Sequence, residues 1–270
     1  MSVVQMTLLG RYGRFANCHF QSMFLRCYSE LHGLRVEAPD FPGQEIFDFH
    51  FDPVGVQLPV TEERYRDNVV CEPLPPAGGE FINKDVRGYF QFHTSWHAPW
   101  REMLLKMFSP NRSPTIERCG GMLIGLHARL GDYDNRTIKW RCPAQWYIDW
   151  LNENWRRLEN PVLYIASEEP QFVERLVQLA KPGTPASEAL MNRLPSGESF
   201  VDDWINLRAC DILLIPNSTF SFTAAMMASK PLEAWRASLP HRGFVRFDPW
   251  NATPLLYDRA EDYRNLLDQL

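Results

Sequence analysis

The strongest constraint on the fold is an alternation of short apolar runs and helical patterns in the second half of the chain. The runs MLIGLHARL (122–130), PVLYIAS (161–167) and DILLIP (211–216) have the length and composition of strands buried on both faces. The segments 143–158, 168–180 and 199–210 are predicted as helices, and 217–229 is predicted as a loop that opens another helix. Strands alternating with helices predict βαβ units around a parallel sheet.

The first half opens in the same way. VVQMTLLG (3–10) reads as a strand, the Gly- and Arg-rich GRYGRFAN (10–17) as a turn, and CHFQSMFLRCYSELHG (18–33) as a helix that ends on glycine. Residues 39–79 are rich in Pro, Gly and aromatic residues and predict short strands and loops, whereas 89–108 returns to helical spacing.

A boundary is predicted within 109–121, which combines two prolines, polar residues and a pair of glycines. The sequence therefore predicts an α/β protein with two Rossmann-like domains, residues 1–115 and 116–270, and a cleft between them.

Composition narrows the class of protein. A chain of 270 residues with 45% hydrophobic and 13% aromatic residues can bury a proper core. A net charge of −5 argues against a general nucleic-acid binder. The N-terminal residues lack the pattern of a signal peptide, and no apolar run approaches the ~18 residues of a membrane-spanning helix. We expect a soluble, cytoplasmic protein without a nucleic-acid partner, and association with a membrane surface stays open.

The cysteines are scattered and form no C-x-x-C pair, so they predict neither a zinc site nor a disulfide framework. We expect free thiols in a reducing compartment at all six positions: Cys18, Cys27, Cys71, Cys119, Cys142 and Cys210.

Ligands of open parallel sheets bind at the carboxyl ends of the strands, and three polar clusters fall at such positions. The first is the turn 10–17, where Arg11 and Arg14 stand just ahead of a helix, an arrangement suited to phosphate or carboxylate. A plain βα turn with solvated arginines explains the same pattern equally well.

The second cluster is His127 and Arg129, which alternate in strand register and therefore leave the same face. The planar, bidentate guanidinium suits a diphosphate, while a lone histidine is more often a hydrogen-bonded core residue. The third cluster, 217–221, places hydroxyls and backbone N–H groups at a helix start. Ordinary helix capping accounts for that pattern as well.

Asp132 and Asp134 form a D-x-D pair directly after the second cluster. A metal-dependent nucleotide-sugar transferase would use such a pair, and this alternative is kept. Chelation separates it from a metal-independent enzyme.

The three clusters belong to five motifs that resemble, in this order, those of the fucosyltransferase superfamily. GRFANCHFQ (13–21), GYFQ (88–91), HARLGDY (127–133), YIASEEPQFV (164–173) and the long stretch WINLRACDILLIPNSTFSFTAAMMA (204–228) carry the similarity, which covers nearly the whole chain. The chain is similar above all to bacterial α-1,2-fucosyltransferases of glycosyltransferase family 11, with features of protein O-fucosyltransferases.

This resemblance implies a GT-B fold, with an N-terminal domain on the acceptor side and a C-terminal domain that binds the GDP-sugar. It implies inverting transfer of fucose from GDP-fucose to a hydroxyl of a glycan acceptor, with no metal and no cofactor.

The resemblance also assigns residues. Arg129 matches the arginine that holds the β-phosphate and helps GDP to leave. Ser218 to Phe220 match the loop around the diphosphate, and Asp202 or Asp203 matches a partner for guanine or ribose. The full set of expected donor-binding positions is Arg14, Asn17, His127, Asp202, Asp203, Asn217, Ser218, Thr219 and Phe220.

The resemblance does not assign the general base. By position in the sequence, Asp132 is the proposed base, with Asp134 and His19 as alternatives, and a structural role of Asp132 in its own turn is also open.

The chain departs from the family pattern at Leu130, where α-1,2-fucosyltransferases have a second arginine. The O-fucosyl branch also works with one arginine, so activity is still expected. Further departures lie at 16–18 and 221–223. A catalytically weak nucleotide- or glycan-binding protein on the same fold is the second alternative, and GDP binding without transfer would favour it.

Overall fold

The computed structural model describes residues 2–66, 72–116, 120–131, 133, 140–228 and 230–257. The chain divides into two compact units. The first comprises Met1–Arg112 and Trp250–Pro254, and the second comprises Ser113–Pro249 and Leu255–Leu270. Each unit is built around its own sheet.

The first unit contains a parallel four-stranded sheet in the order β2-β1-β4-β3. Its long helix, α1, ends where Gly33 adopts the left-handed conformation (φ 62°) and donates its N–H to the Ser29 carbonyl. The elements are β1 Val3–Gln5, α1 Phe15–His32, β2 Arg35–Glu37, β3 Val60–Glu62, β4 Lys84–Arg87 and α2 Arg101–Met107.

The prediction of a helix over 89–108 is wrong for most of this segment. Only α2 is α-helical there, preceded by two 3₁₀ turns at Thr94–Trp96 and Ala98–Trp100. Pro99 explains part of the difference, because it lacks an N–H and disfavours helical geometry at the residue before it. Phe90, with φ of 53°, takes the chain out of helical geometry earlier still.

The second unit contains a five-stranded sheet in the order β6-β5-β7-β8-β9, parallel except for the antiparallel edge strand β9. Helices α3, α4 and α5 share one hydrophobic core with the inner strands. The elements are β5 Leu123–Ala128, α3 Ala144–Asn154, β6 Val162–Ser167, α4 Pro170–Leu179, α5 Pro185–Met191, α6 Phe200–Arg208, β7 Ile212–Ile215, α7 Thr219–Met226, β8 Glu233–Ser238 and β9 Gly243–Phe247.

The predicted α/β class is confirmed by these two sheets and their helices. The mutual placement of two domains around a cleft stays a prediction. Four of the six cysteines, Cys18, Cys27, Cys142 and Cys210, are buried free thiols, and the other two, Cys71 and Cys119, lie outside the described residues. Within the described ranges, no helix is long and apolar enough to cross a membrane.

Candidate functional site

His127 is the penultimate residue of strand β5, and both its side chain and its backbone are held by hydrogen bonds. Its Nδ1 is hydrogen-bonded to Ser221 Oγ at 2.7 Å, and its ring centroid lies 5.2 Å from that of Phe220. The hydroxyl of Tyr147 donates to the His127 carbonyl at 2.7 Å. Burial, and secondarily the charge of Arg129, lower the pKa of His127 to about 3. This histidine is therefore a neutral, oriented imidazole at physiological pH.

Arg129 follows directly after β5 and forms an ion pair with Glu168, the first residue after the neighbouring strand β6. The arginine side chain is 12% exposed and the glutamate 50%. The guanidinium carbon also lies 5.8 Å from the ring centroid of Tyr133. Gly131 leaves room for this pair, since a Cβ there would approach Glu168 Oε2 to 2.7 Å. The guanidinium is thus held at the carboxyl edge of the sheet by a carboxylate that water reaches.

Tyr133 joins the loop after β5 to the loop after β7. Its hydroxyl donates to the Asn217 carbonyl at 2.7 Å, and its own carbonyl accepts from Arg141 Nε at 2.7 Å. Asn217 exchanges two hydrogen bonds with the backbone of Leu256, at 2.9 and 2.7 Å. Asn217 therefore fixes the loop that leads into α7.

Helix α7 begins at Thr219, and Ser218 precedes it in an extended conformation (φ −138°, ψ 130°). In the described structure the Ser218 side chain caps none of the N–H groups of α7, so ordinary capping does not explain this serine. Thr219 and Phe220 are partly exposed. The first turn of a helix presents N–H groups and the positive end of the helix dipole, which together favour an anion.

Asp202 and Asp203 both have contacts within the second unit. Asp202 and Ser199 cap the start of α6 reciprocally: the Ser199 hydroxyl donates to Asp202 Oδ2 at 2.7 Å and accepts from its N–H at 3.2 Å. Asp203 is hydrogen-bonded to the Tyr164 hydroxyl and accepts from the Gly197 N–H at 3.1 Å. Burial raises the pKa of Asp203. A role of either aspartate towards guanine or ribose stays a prediction.

Leu130, where the family pattern has an arginine, packs against the hydrophobic core of the second unit. Arg129 alone therefore supplies the cation of the HARLGDY motif within its described residues.

In the first unit, two of the predicted motifs lie side by side. Arg14 is exposed at the start of α1, and Gly13 before it has φ of 101°. Asn17 Oδ1 accepts a hydrogen bond of 2.7 Å from Gln91 Nε2. The Nε2 of Gln21 donates to the carbonyls of Tyr12 and Gly88, at 2.9 and 2.8 Å. GRFANCHFQ and GYFQ are therefore parts of one structure at the carboxyl edge of the first sheet.

Glu63, directly after β3, is a buried acid that belongs to none of the sequence motifs. Its side chain is 4% exposed, and Oε2 accepts from the Tyr89 N–H at 2.8 Å and from the Tyr65 hydroxyl at 3.1 Å. Burial raises the pKa of this carboxyl to about 7. In the sequence, only the position of Glu63 at a strand end distinguishes it, because Tyr89, which donates to it, lies 26 residues away.

Of the three candidates for a general base, the structure describes only His19. Asp132 and Asp134 lie outside the described residues. His19 is fully buried among aromatic rings, including those of Phe15 and Phe47 at 4.3 and 5.4 Å between centroids. Burial lowers the pKa of His19 to about 3. Such a residue belongs to the core and does not meet a hydroxyl that arrives from solvent. Among the described residues, no three His, Cys, Asp or Glu side chains converge as metal ligands do.

No protein-family model and no curated protein sequence matches this chain. Solved structures do match, and they define a class of fold, that of fucosyltransferases. One is the Bradyrhizobium α-1,6-fucosyltransferase NodZ soaked with GDP-fucose, which is 13% identical with a TM-score of 0.52 over 91% of this chain and 98% of that chain.

Two further structures have the same character. POFUT1 in complex with GDP-fucose is 11% identical, with a TM-score of 0.51 over 87% of this chain and 97% of that chain. A variant of Arabidopsis thaliana FUT1 in complex with GDP is 14% identical, with a TM-score of 0.51 over 95% of this chain and 76% of that chain. At these identities the similarity establishes that this chain has their fold.

Proposed function

We propose that this protein is an inverting, metal-independent fucosyltransferase that transfers fucose from GDP-fucose to a hydroxyl of a glycan. The observation that carries the proposal is the cluster of Arg129, His127 and the start of α7 at one edge of the second sheet. This cluster offers a cation and helix N–H groups to an anion such as a diphosphate. Structures of the same fold contain GDP or GDP-fucose, which carry that group. Location in the cytoplasm remains a prediction.

In the proposed reaction the bond between C1 of fucose and the β-phosphate oxygen breaks, and negative charge develops on the departing GDP. Arg129 and the N–H groups at the start of α7 stabilise this charge where it forms. Such donors fulfil the role that a divalent cation has in D-x-D enzymes. The diphosphate would replace Glu168 as the partner of the guanidinium, and the half-exposed position of Glu168 makes that exchange inexpensive.

His127 would act by orientation and not by proton transfer. Its lowered pKa keeps the imidazole neutral, and its hydrogen bond to Ser221 ties β5 to the first turn of α7. Ser218, Thr219 and Phe220 would surround the diphosphate, with Asn217 holding their loop through Leu256. Arg14 and Asn17 of the first unit are proposed donor contacts, and Asp202 and Asp203 complete the set.

The acceptor hydroxyl attacks C1 from the face opposite the leaving GDP, and its proton passes to a base. Asp132 remains the proposed base. The products are a fucosylated glycan, with inverted configuration at C1, and GDP.

The test is a screen of glycan acceptors with GDP-fucose, GDP-mannose and UDP-sugars as donors, in which released nucleotide and glycosylated product are measured. We expect turnover with GDP-fucose that persists in EDTA. Activity abolished by EDTA would support the D-x-D alternative. GDP binding with neither transfer nor donor hydrolysis would support the binding-protein alternative, for which Leu130 is the argument.

A further inference from the structure

Two tyrosines form an exposed aromatic stack at the carboxyl edge of the first sheet. The ring centroids of Tyr12 and Tyr89 lie 4.8 Å apart, with 28° between the ring planes. Tyr12 follows β1 and Tyr89 follows the adjacent strand β4. Tyr12 is 38% exposed, whereas Tyr89 is partly buried beneath it. Ligands of parallel α/β sheets bind at this edge.

Buried polar side chains hold both tyrosine turns in place. Gln21 is fully buried, and its Nε2 donates to the Tyr12 carbonyl at 2.9 Å and to the Gly88 carbonyl at 2.8 Å. The carboxylate of Glu63 accepts from the Tyr89 N–H at 2.8 Å. Burying an amide and an acid is costly unless their hydrogen bonds compensate. These contacts fix the backbone of the two turns and so fix the stack.

The backbone around the stack contains two positive-φ glycines and one non-glycine residue in the left-handed conformation. Gly13 has φ of 101° and Gly88 has φ of 154°, and the non-glycine Phe90 has φ of 53°. A Cβ at position 88 would lie 2.4 Å from the Cβ of Glu63. Glycine adopts a positive φ without strain, and Gly88 leaves free the space that a Cβ would take from Glu63. The left-handed conformation of the bulky Phe90 is strained, and it persists only because its surroundings enforce it.

We propose that the Tyr12–Tyr89 stack is a carbohydrate subsite, in which the exposed face of Tyr12 packs against the C–H face of a pyranose ring. Within the function proposed above, on which this inference rests, that ring belongs to the acceptor glycan. A rigid tyrosine offers a large amphipathic contact at little cost in conformational entropy. The exposed Arg11 of the same turn supplies N–H donors for sugar hydroxyls.

The size of the exposed ring favours a sugar over a protein partner. A specific protein interface needs on the order of 800 Å² from each side, and one partly exposed tyrosine contributes a small part of that. A single pyranose ring matches the area of one aromatic face.

The experiment compares Tyr12→Ala and Tyr12→Phe with the wild type in saturation-transfer NMR with cellotetraose, maltotetraose and lactose. Tyr12 is exposed, so neither substitution should prevent folding. We expect at least one of these sugars to bind the wild type and Tyr12→Phe. Tyr12→Ala should weaken its binding about tenfold or more, as expected for loss of one stacking contact. Leu31→Ala, which truncates an exposed apolar side chain on the same unit, is the matched control and should bind like the wild type.

The subsite is refuted if none of the three sugars binds the wild type, or if Tyr12→Ala binds them equally well. GDP titration separates this outcome from failure of the proposed function. A wild type that binds sugar but not GDP overturns the function and leaves the subsite standing. A wild type that binds GDP while Tyr12→Ala retains its sugar affinity overturns the subsite alone.

Discussion

The two clusters at the carboxyl edges of the two sheets differ in the kind of side chain that forms them. In the second unit the cluster consists of a guanidinium, a neutral imidazole and the start of a helix, held by Glu168 and Ser221. In the first unit it consists of stacked rings on turns that Gln21 and Glu63 fix from below. The first arrangement suits a ligand on which charge develops, and the second suits a neutral ligand recognised by shape.

Each cluster contains one buried titratable group, and burial favours the neutral form of both. The consequences for charge at neutral pH differ. It lowers the pKa of His127 to about 3 and raises that of Glu63 to about 7, so both neutral forms are favoured. His127 is therefore uncharged throughout the physiological range, and Arg129 carries the charge of its cluster. Glu63, in contrast, titrates near neutrality and makes the first unit sensitive to pH.

The largest effect on stability is predicted for Gly88→Ala, which introduces a side chain into the rigid turn of the first unit. The substitution combines an unfavourable φ of 154° with a contact of 2.4 Å to the Cβ of Glu63. We expect the free energy of unfolding to fall by about 3 kcal/mol or more, from backbone strain and overpacking together. Urea unfolding measures it.

The matched control is Gly78→Ala, since Gly78 also has a positive φ (81°) but has no atom within 4 Å of an added Cβ. It should cost about 1 kcal/mol, the penalty of the backbone conformation alone. Equal losses in the two variants would mean that the turn at Gly88 yields easily and is not rigid.

The next effect is the pH dependence that Glu63 gives to stability. Its pKa in the folded protein is about 7, against an ordinary value of 4.5. Between these values the folded state binds more protons than the unfolded state, so stability falls as pH rises through this window. The full difference corresponds to ~3 kcal/mol. We expect Glu63→Gln to remove this slope in urea unfolding between pH 4.5 and 8.

Glu62→Gln, one residue away at an exposed position, should leave the slope in place. Two results would contradict this prediction: stability of the wild type that rises over the same pH window, or a slope that persists in Glu63→Gln. Either would mean that Glu63 does not make the first unit sensitive to pH.

The smallest effect concerns the partner of Arg129. Glu168→Gln removes a half-exposed carboxylate that competes with a diphosphate for the guanidinium. We expect GDP affinity to rise about two- to fivefold, the range of a surface ion pair. Calorimetric titration measures it, with Glu169→Gln as the neighbouring control. A fall in affinity would show instead that Glu168 orients Arg129 for its ligand.

The sequence predicts the second unit better than the first. Strands β5, β6 and β7 are apolar because helices cover both faces, so their runs stand out. His127 and Arg129 lie within one motif, and their alternation is readable. Helix α5 lies between two of the helical segments that the sequence predicts, in a stretch rich in Gly, Pro and Ser that indicates a loop, although Thr184 and Pro185 form a typical helix start.

The parts that sequence reasoning did not find depend on contacts between distant residues. Glu63 becomes notable only when Tyr89 donates to it, and Tyr12 only when Tyr89 stacks on it. Glu168 is one of two consecutive acids, and its pairing with Arg129 requires the register of β5 and β6. No local pattern encodes such pairings, because they arise from the order of strands in the sheet.

The central claim is that Arg129 stabilises the departing GDP, and the turnover of GDP-fucose in Arg129→Ala tests it most directly. Arg156→Ala is the matched control, since Arg156 forms an exposed ion pair with Glu188 elsewhere on the same unit. We predict a loss of about 100-fold or more in Arg129→Ala, typical for removal of a key electrostatic donor, and none in Arg156→Ala. Near-normal turnover in Arg129→Ala would contradict the claim.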